Sequence, residues 1–227
     1  QANPNRKRGK LTVQDVASFC VYVNRHRDEG SLIVMDQGSA RRVTCYLNHH
    51  EPGAEGDASE AGWADHVCVF EPRYTTAWTA WIGFAEKWIN QEEFAQFLDE
   101  RMGEIVEPDG ATLMEIATQL KMTVETKYER AINLSSNAIQ LVHLENVSNN
   151  IEIPTHFTLS VVPFDGANAV NIRARLKVAK PDKDGHVRFL WRLGDAPRHS
   201  LDAVFDAFAE QIQVATGVSV IKGVWAS

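Results

Sequence analysis

The sequence predicts an α+β fold: a central antiparallel sheet, built as a meander, with N-terminal, middle and C-terminal helices packed on it. Three observations carry this. Apolar residues recur at helical spacing near both ends and in the middle of the chain; from Val124 the period becomes two; and turn-forming clusters at Ser135–Asn137, Asp165–Gly166 and Pro181–Gly185 separate several of the period-two runs. No internal repeat or linker divides the chain, so the expected organisation is a basic, flexible arm over residues 1–10 and one domain over 11–227.

The elements follow in order. Thr12 is placed to cap a helix over about 12–27, with Asp15 three residues on and Val13, Val16, Phe19 and Val23 on one side; Gly30 lies beyond its end. Residues 31–36 and 41–48 read as a hairpin about Gly38. The stretch 48–65, rich in Gly, Ala and acids, reads as a loop or a long hairpin tip, and the chain returns to a strand at His66. Trp78 and Trp81 stand three apart in a short helical turn that Gly83 is expected to break. Asn90 with Glu93 forms a capping-box pattern for a helix whose Phe94, Phe97, Leu98 and Met102 face inward. A further helix follows Gly110, with Leu113, Ile116, Ala117 and Leu120 inward. Strands are expected over 124–134, 138–146, 155–164, 169–179 and 186–193. Ser200 then caps a helix carrying Leu201, Val204, Phe205, Phe208 and Ile212 on one side; Gly217 stops it, and a short strand closes the chain.

Composition sets limits on function. The chain has 227 residues, 44% apolar and 23% charged, as a globular protein does, and no apolar run approaches a membrane span of roughly 18 residues. Membrane is therefore not an expected partner. No signal-peptide pattern is present, but the chain begins at Gln1, which leaves room for a removed leader or tail. Cys20, Cys45 and Cys68 are odd in number and scattered, which fits reduced thiols in a cytoplasmic setting.

The net charge of −7 conceals blocks of each sign. Arg6, Lys7, Arg8 and Lys10 form the basic arm, while Glu51, Glu55, Asp57, Glu60 and Asp65 lie in a stretch without lysine or arginine. Glu92, Asp99 and Glu100 line the outer face of the Asn90-capped helix. On two adjoining strands, strict alternation puts Arg173, Arg175, Lys177, Arg188 and Arg192 on one face. Like charges across a strand ladder oppose pairing by a few tenths of a kcal/mol or more, so an anionic partner is expected. That partner is a nucleic-acid backbone, carboxylates of the same subunit, or the acidic helix and loop of another copy; the plain alternative is a solvated face with local salt bridges.

Trp78, Trp81 and Trp88 each stand near another apolar residue at helical spacing, so they read as packing aromatics of a core or subunit interface. Acidic neighbours after Trp88 count against a base-stacking platform. No catalytic, cofactor or metal site is expected. His49, His50, His66, Cys45 and Cys68 match no standard zinc spacing, and His199, Ser200 and Asp202 are adjacent in sequence, which makes no triad, with Ser200 explained as a cap.

One resemblance goes beyond generic pattern. Thr75, Trp78 and Trp81 form a T-x-x-W-x-x-W element, followed by Gln91, Phe94, Ala95, Phe97 and Leu98 as Q-x-x-F-A-x-F-L, and then by Ile105 and Pro108. Together with the strands at 157–166, 170–178 and 185–193 and the terminal 215–223, these resemble the YfdQ-like family of phage and prophage proteins, over nearly the whole chain. The segment 49–65 is long and unusually acidic for that family. The resemblance implies a phage or prophage origin and a bacterial cytoplasm, and assigns no site residue. The expected function is non-enzymatic self-assembly into a symmetric homo-oligomer, a ring or hollow shell, with the chain itself as partner. The alternatives are a nucleic-acid-associated accessory factor of phage replication or recombination, and a binder of a host protein.

Overall fold

The computed structural model describes residues 7–38, 40–51, 60–118, 153–179 and 186–224. The class is α+β, as the sequence indicates, but the described strands divide between two five-stranded sheets and a short two-stranded ribbon rather than one central sheet. The described residues fall into two compact units: Gln1–Thr75 with Phe164–Asn168 and His199–Ser227, and Thr76–Pro163 with Ala169–Arg198.

The first unit's sheet has the order β1-β6-β3-β2-β12. Its strands are β1 (Gly9–Val13), β2 (Leu32–Asp36), β3 (Arg42–Tyr46), β6 (His66–Phe70) and β12 (Val220–Lys222). The β2–β3 hairpin about Gly38 forms as expected, with Leu32 opposite Tyr46 and Asp36 opposite Arg42. Two edges are parallel: β1 lies along β6 and β12 along β2. Helices α1 (Val16–His26) and α5 (Ala196–Thr216) cover one face, where Phe70 meets Phe19 at 6.3 Å and Phe208 at 5.3 Å.

Two expectations about helix starts need correction. Asp15 caps α1 by accepting from the Ser18 amide at 2.7 Å, and Thr12 lies in strand β1, so the basic arm is not free beyond Arg8. Helix α5 starts at Ala196, which leaves Ser200 inside it. Pro197 explains the earlier start: in a first turn its missing N–H removes no helix bond. At the other end Gly217, with φ of 68°, terminates α5 in the left-handed conformation that glycine tolerates. The acidic stretch contains the ribbon β4 (His50–Glu51) and β5 (Glu60–Ala61), so its base is a hairpin; the tip, with Glu55 and Asp57, lies outside the described residues.

The second unit's sheet has the order β7-β11-β10-β9-β8, antiparallel at every step. Its strands are β7 (Ile89–Asn90), β8 (Ile105–Glu107), β9 (His156–Val161), β10 (Val170–Val178) and β11 (Arg188–Arg192). The strands expected over 124–134 and 138–146 lie outside the described residues. Helices α2 (Thr76–Phe84) and α3 (Gln91–Arg101) carry the aromatic side. Helix α2 runs through Gly83, whose small propensity penalty is outweighed by the burial of Trp78 and Trp81. The Asn90–Glu93 capping box forms in full, each side chain accepting from the other's amide. Residues 110–118 form α4, with Leu113 and Ala117 buried and Ile116 half-buried; the Ala117 carbonyl accepts from Gln91 Nε2 at 2.7 Å.

Candidate functional site

The strongest departure from ordinary protein surface is one face of the second unit's sheet. Its opposite face is apolar: Ile172, Ala174 and Leu176 of β10, Phe189 and Trp191 of β11, and Phe157 and Leu159 of β9 are all buried. Helix α3 closes that inner side, with Phe94 stacked on Phe189 at 4.4 Å and Phe97 packed against Trp191 at 5.2 Å. Trp81 joins them, 4.7 Å from Phe97 and 5.4 Å from Trp191, and its carbonyl accepts from Trp191 Nε1.

Since successive strand residues point to opposite faces, everything between those apolar positions points outward. The outer face therefore carries Arg173, Arg175 and Lys177 of β10 and Arg188 and Arg192 of β11, as the alternation predicts; the four arginines are exposed and Lys177 is half-buried. Pairing adds what sequence spacing alone does not fix. Arg175 lies opposite both Arg192 and His156, Arg173 opposite Thr158, and Asn171 opposite Ser160. Asn90 of β7 stands against Arg188. The face is thus cationic in the middle and polar around it, with the exposed Glu107 of β8 at its far edge, opposite Thr158.

Only one of these cations has an acidic partner among the described residues. Arg192 Nε lies 2.9 Å from Glu86 Oε2, with both side chains about half exposed at 52%. Such an exposed pair is worth about 0.2–1 kcal/mol, roughly what the facing Arg175–Arg192 pair costs. Arg173, Arg175, Lys177 and Arg188 have no ion pair with a described carboxylate. Glu86 was not marked by any sequence pattern; its partnership needs the left-handed turn at its own φ of 63°, a conformation sequence spacing does not reveal.

The three candidate packing tryptophans part company. Trp78 and Trp81 are 4% and 1% exposed, but Trp88 is 46% exposed. It stands one residue before Ile89, which is buried on the inner side, so Trp88 belongs to the cationic side. Continuing the Ile89–Phe189 register back one residue sets it beside Leu190, the one buried apolar side chain of β11 on that side.

The other expected site residues lie elsewhere. Arg6 is outside the described residues; Arg8 and Lys10 are exposed, and Lys7 Nζ lies 3.1 Å from His26 Nδ1 in the first unit. Glu92, Asp99 and Glu100 are exposed on the outer side of α3, as expected. Among the described residues no group of three or more His, Cys, Asp or Glu could hold a metal ion. Cys45 and Cys68 face one another across β3 and β6, and burial pushes their thiols up to about 12 and about 11, so both stay protonated. His66 accepts or donates at 3.0 Å to Tyr22, and His49 meets His50 at 2.7 Å. Asp202 is held by Arg41 at 2.9 Å.

Against known families, residues 1–225 match the family described as uncharacterized conserved protein (DUF2303). The chain belongs to that family. No curated protein and no solved structure matches it. Membership covers the arm, both sheets and the cationic face alike, and transfers no site residue to any of them. Among the described residues no helix is long and apolar enough to cross a membrane.

Proposed function

We propose that this chain is a non-enzymatic protein that self-assembles into a symmetric homo-oligomer, a ring or hollow shell, through the outer face of its second sheet. A phage or prophage origin and a bacterial cytoplasm belong to the same proposal, on the resemblance of its Thr75–Trp81 and Gln91–Leu98 motifs to YfdQ-like proteins. The observation that carries the assembly reading is the set of Arg173, Arg175, Lys177 and Arg188, four cations without an ion-paired carboxylate among the described residues, beside an exposed Trp88. Arginine and tryptophan are the side chains most enriched where interfaces hold their energy. The net charge of −7 means every copy offers more acid than base to its neighbours. Light scattering on nuclease-treated protein is expected to give one discrete multiple of the chain mass, and Arg173→Glu with Arg175→Glu is expected to lower it. A wild-type protein that runs as a monomer overturns the reading.

The exposed Trp88 among cations also favours a second reading, a nucleic-acid-associated accessory factor, because an open ring can stack on a base while arginines hold phosphates. That reading predicts binding whose logarithm falls with log salt by roughly 0.7–0.9 per phosphate contact. Salt-independent or undetectable binding removes it.

A further inference from the structure

We infer that the partner of the cationic sheet face is the outer side of α3 in a second copy, so that the joint is heterologous and each copy uses two different surfaces. This rests on the assembly reading and gives it a direction. The inner side of α3 is occupied, since Phe94 and Phe97 pack on Phe189 and Trp191. Its outer side leaves Glu92, Asp99 and Glu100 exposed. Asp99 has no hydrogen-bond or ion-pair partner among the described residues, and Glu100 only accepts from Gln96 of the same helix at 3.3 Å. The cations leave the sheet on the side opposite Phe189 and Trp191, and therefore opposite α3.

One two-layer unit thus carries its clustered base on one outer surface, with Glu86 and Glu107 toward the edges, and the α3 acids on the other. The two cannot neutralise each other within a copy, because the sheet and its apolar layer lie between them. A twofold contact centred on the arginines of the sheet face would set arginine against arginine, and one centred on Asp99 and Glu100 of α3 would set carboxylate against carboxylate. A single isologous patch cannot contain both surfaces, since they face opposite ways. Base of one copy on acid of the next satisfies both, and repetition of that joint gives a closed ring or an open filament.

The experiment uses two full-length variants and the wild type at low salt. Arg173→Glu with Arg175→Glu removes the sheet surface and leaves α3 intact; Asp99→Asn with Glu100→Gln removes the α3 surface and leaves the sheet intact. Each alone is expected as a monomer, while an equal mixture yields a one-to-one dimer that grows no further. Such a dimer also shows that both variants are folded. In wild-type protein mixed from isotopically light and heavy copies, a carbodiimide is expected to join Lys177 of one copy to Asp99 or Glu100 of another. A wild-type assembly whose variants keep full mass, or whose mixture stays monomeric and whose Lys177 never links to α3, overturns the joint while leaving assembly standing. A monomeric wild type, with or without nucleic acid, overturns both.

Discussion

The two units handle charge in opposite ways. In the first, cations of the sheet region meet carboxylates of α5: Arg41 pairs with Asp202 at 2.9 Å and Lys222 with Asp206 at 2.6 Å, and Gln37 also donates to Asp206. Helix α5 crosses that sheet and brings its acids to it. In the second unit α2 and α3 lie on the apolar side and α3 carries its acids away from the sheet, so among the described residues the cations of β10 and β11 keep only Glu86. Sheet-region cations met by acids of their own unit, as Arg41 and Lys222 are, need no partner. A unit that segregates its charges across its own core has a polarity that only another molecule can use.

The largest effect that tests this contrast comes from the core of the second unit. Trp81→Ala is expected to destabilise it by about 3–5 kcal/mol, because it removes a ring that touches Phe97, Phe157 and Trp191. Trp88→Ala should change stability by less than about 0.5 kcal/mol yet reduce the assembled mass. Denaturant melts beside light scattering separate the two; a Trp88 variant that loses stability as Trp81 does would place that ring in the fold rather than at an interface. Next in size is Asp202→Ala in the first unit. It strands Arg41, whose side chain is only 12% exposed, and is expected to cost about 1–3 kcal/mol. No loss would mean that the internal pairing of the first unit contributes little.

A smaller effect separates the units by pH. Burial, then repulsion from Lys7, holds His26 and His66 below the ordinary imidazole value of 6.5. The unfolded chain therefore takes up protons first, so stability present above about pH 6.5 is lost as pH falls toward the lower folded values. Lys7→Gln removes one cause from both rings and should flatten that loss. Melting temperature followed from pH 7.5 to 5.5, roughly one unit either side of the imidazole range, checks it; an unchanged slope would leave burial, with the repulsion of His66 and Arg25 on His26, as the cause.

How much of this was legible in the sequence depends on whether the deciding partner was near. The Asn90–Glu93 cap, the hairpin about Gly38, the α5 stripe from Leu201 to Ile212 and the basic alternation of β10 and β11 all rest on contacts within a turn or along one strand, and each was readable. Gly9–Val13 was not, because its strand exists only through parallel pairing with His66–Phe70, more than fifty residues on. The division into two sheets was hidden for the same reason: β12 joins β2 across most of the chain. For the candidate face, the cations could be read from spacing. The exposure of Trp88 and the Glu86–Arg192 pair could not, since both depend on where β7 docks against β11.

The most discriminating change is also the one with the smallest expected effect on folding. Arg175 lies opposite Arg192 in the β10–β11 ladder and opposite His156 toward β9, a position where a cation opposes pairing in the isolated subunit. Arg175→Thr replaces it with a residue of high strand propensity and should stabilise the dissociated subunit by about 0.2–1 kcal/mol. The same substitution should weaken assembly, because it takes a cation from the face that receives the next copy. Gain in one measurement with loss in the other is the signature of a residue kept for a partner rather than for the fold. If Arg175→Thr instead destabilises the dissociated subunit, the cation is serving the sheet itself, and the contrast between the two units collapses into two ways of achieving the same internal balance.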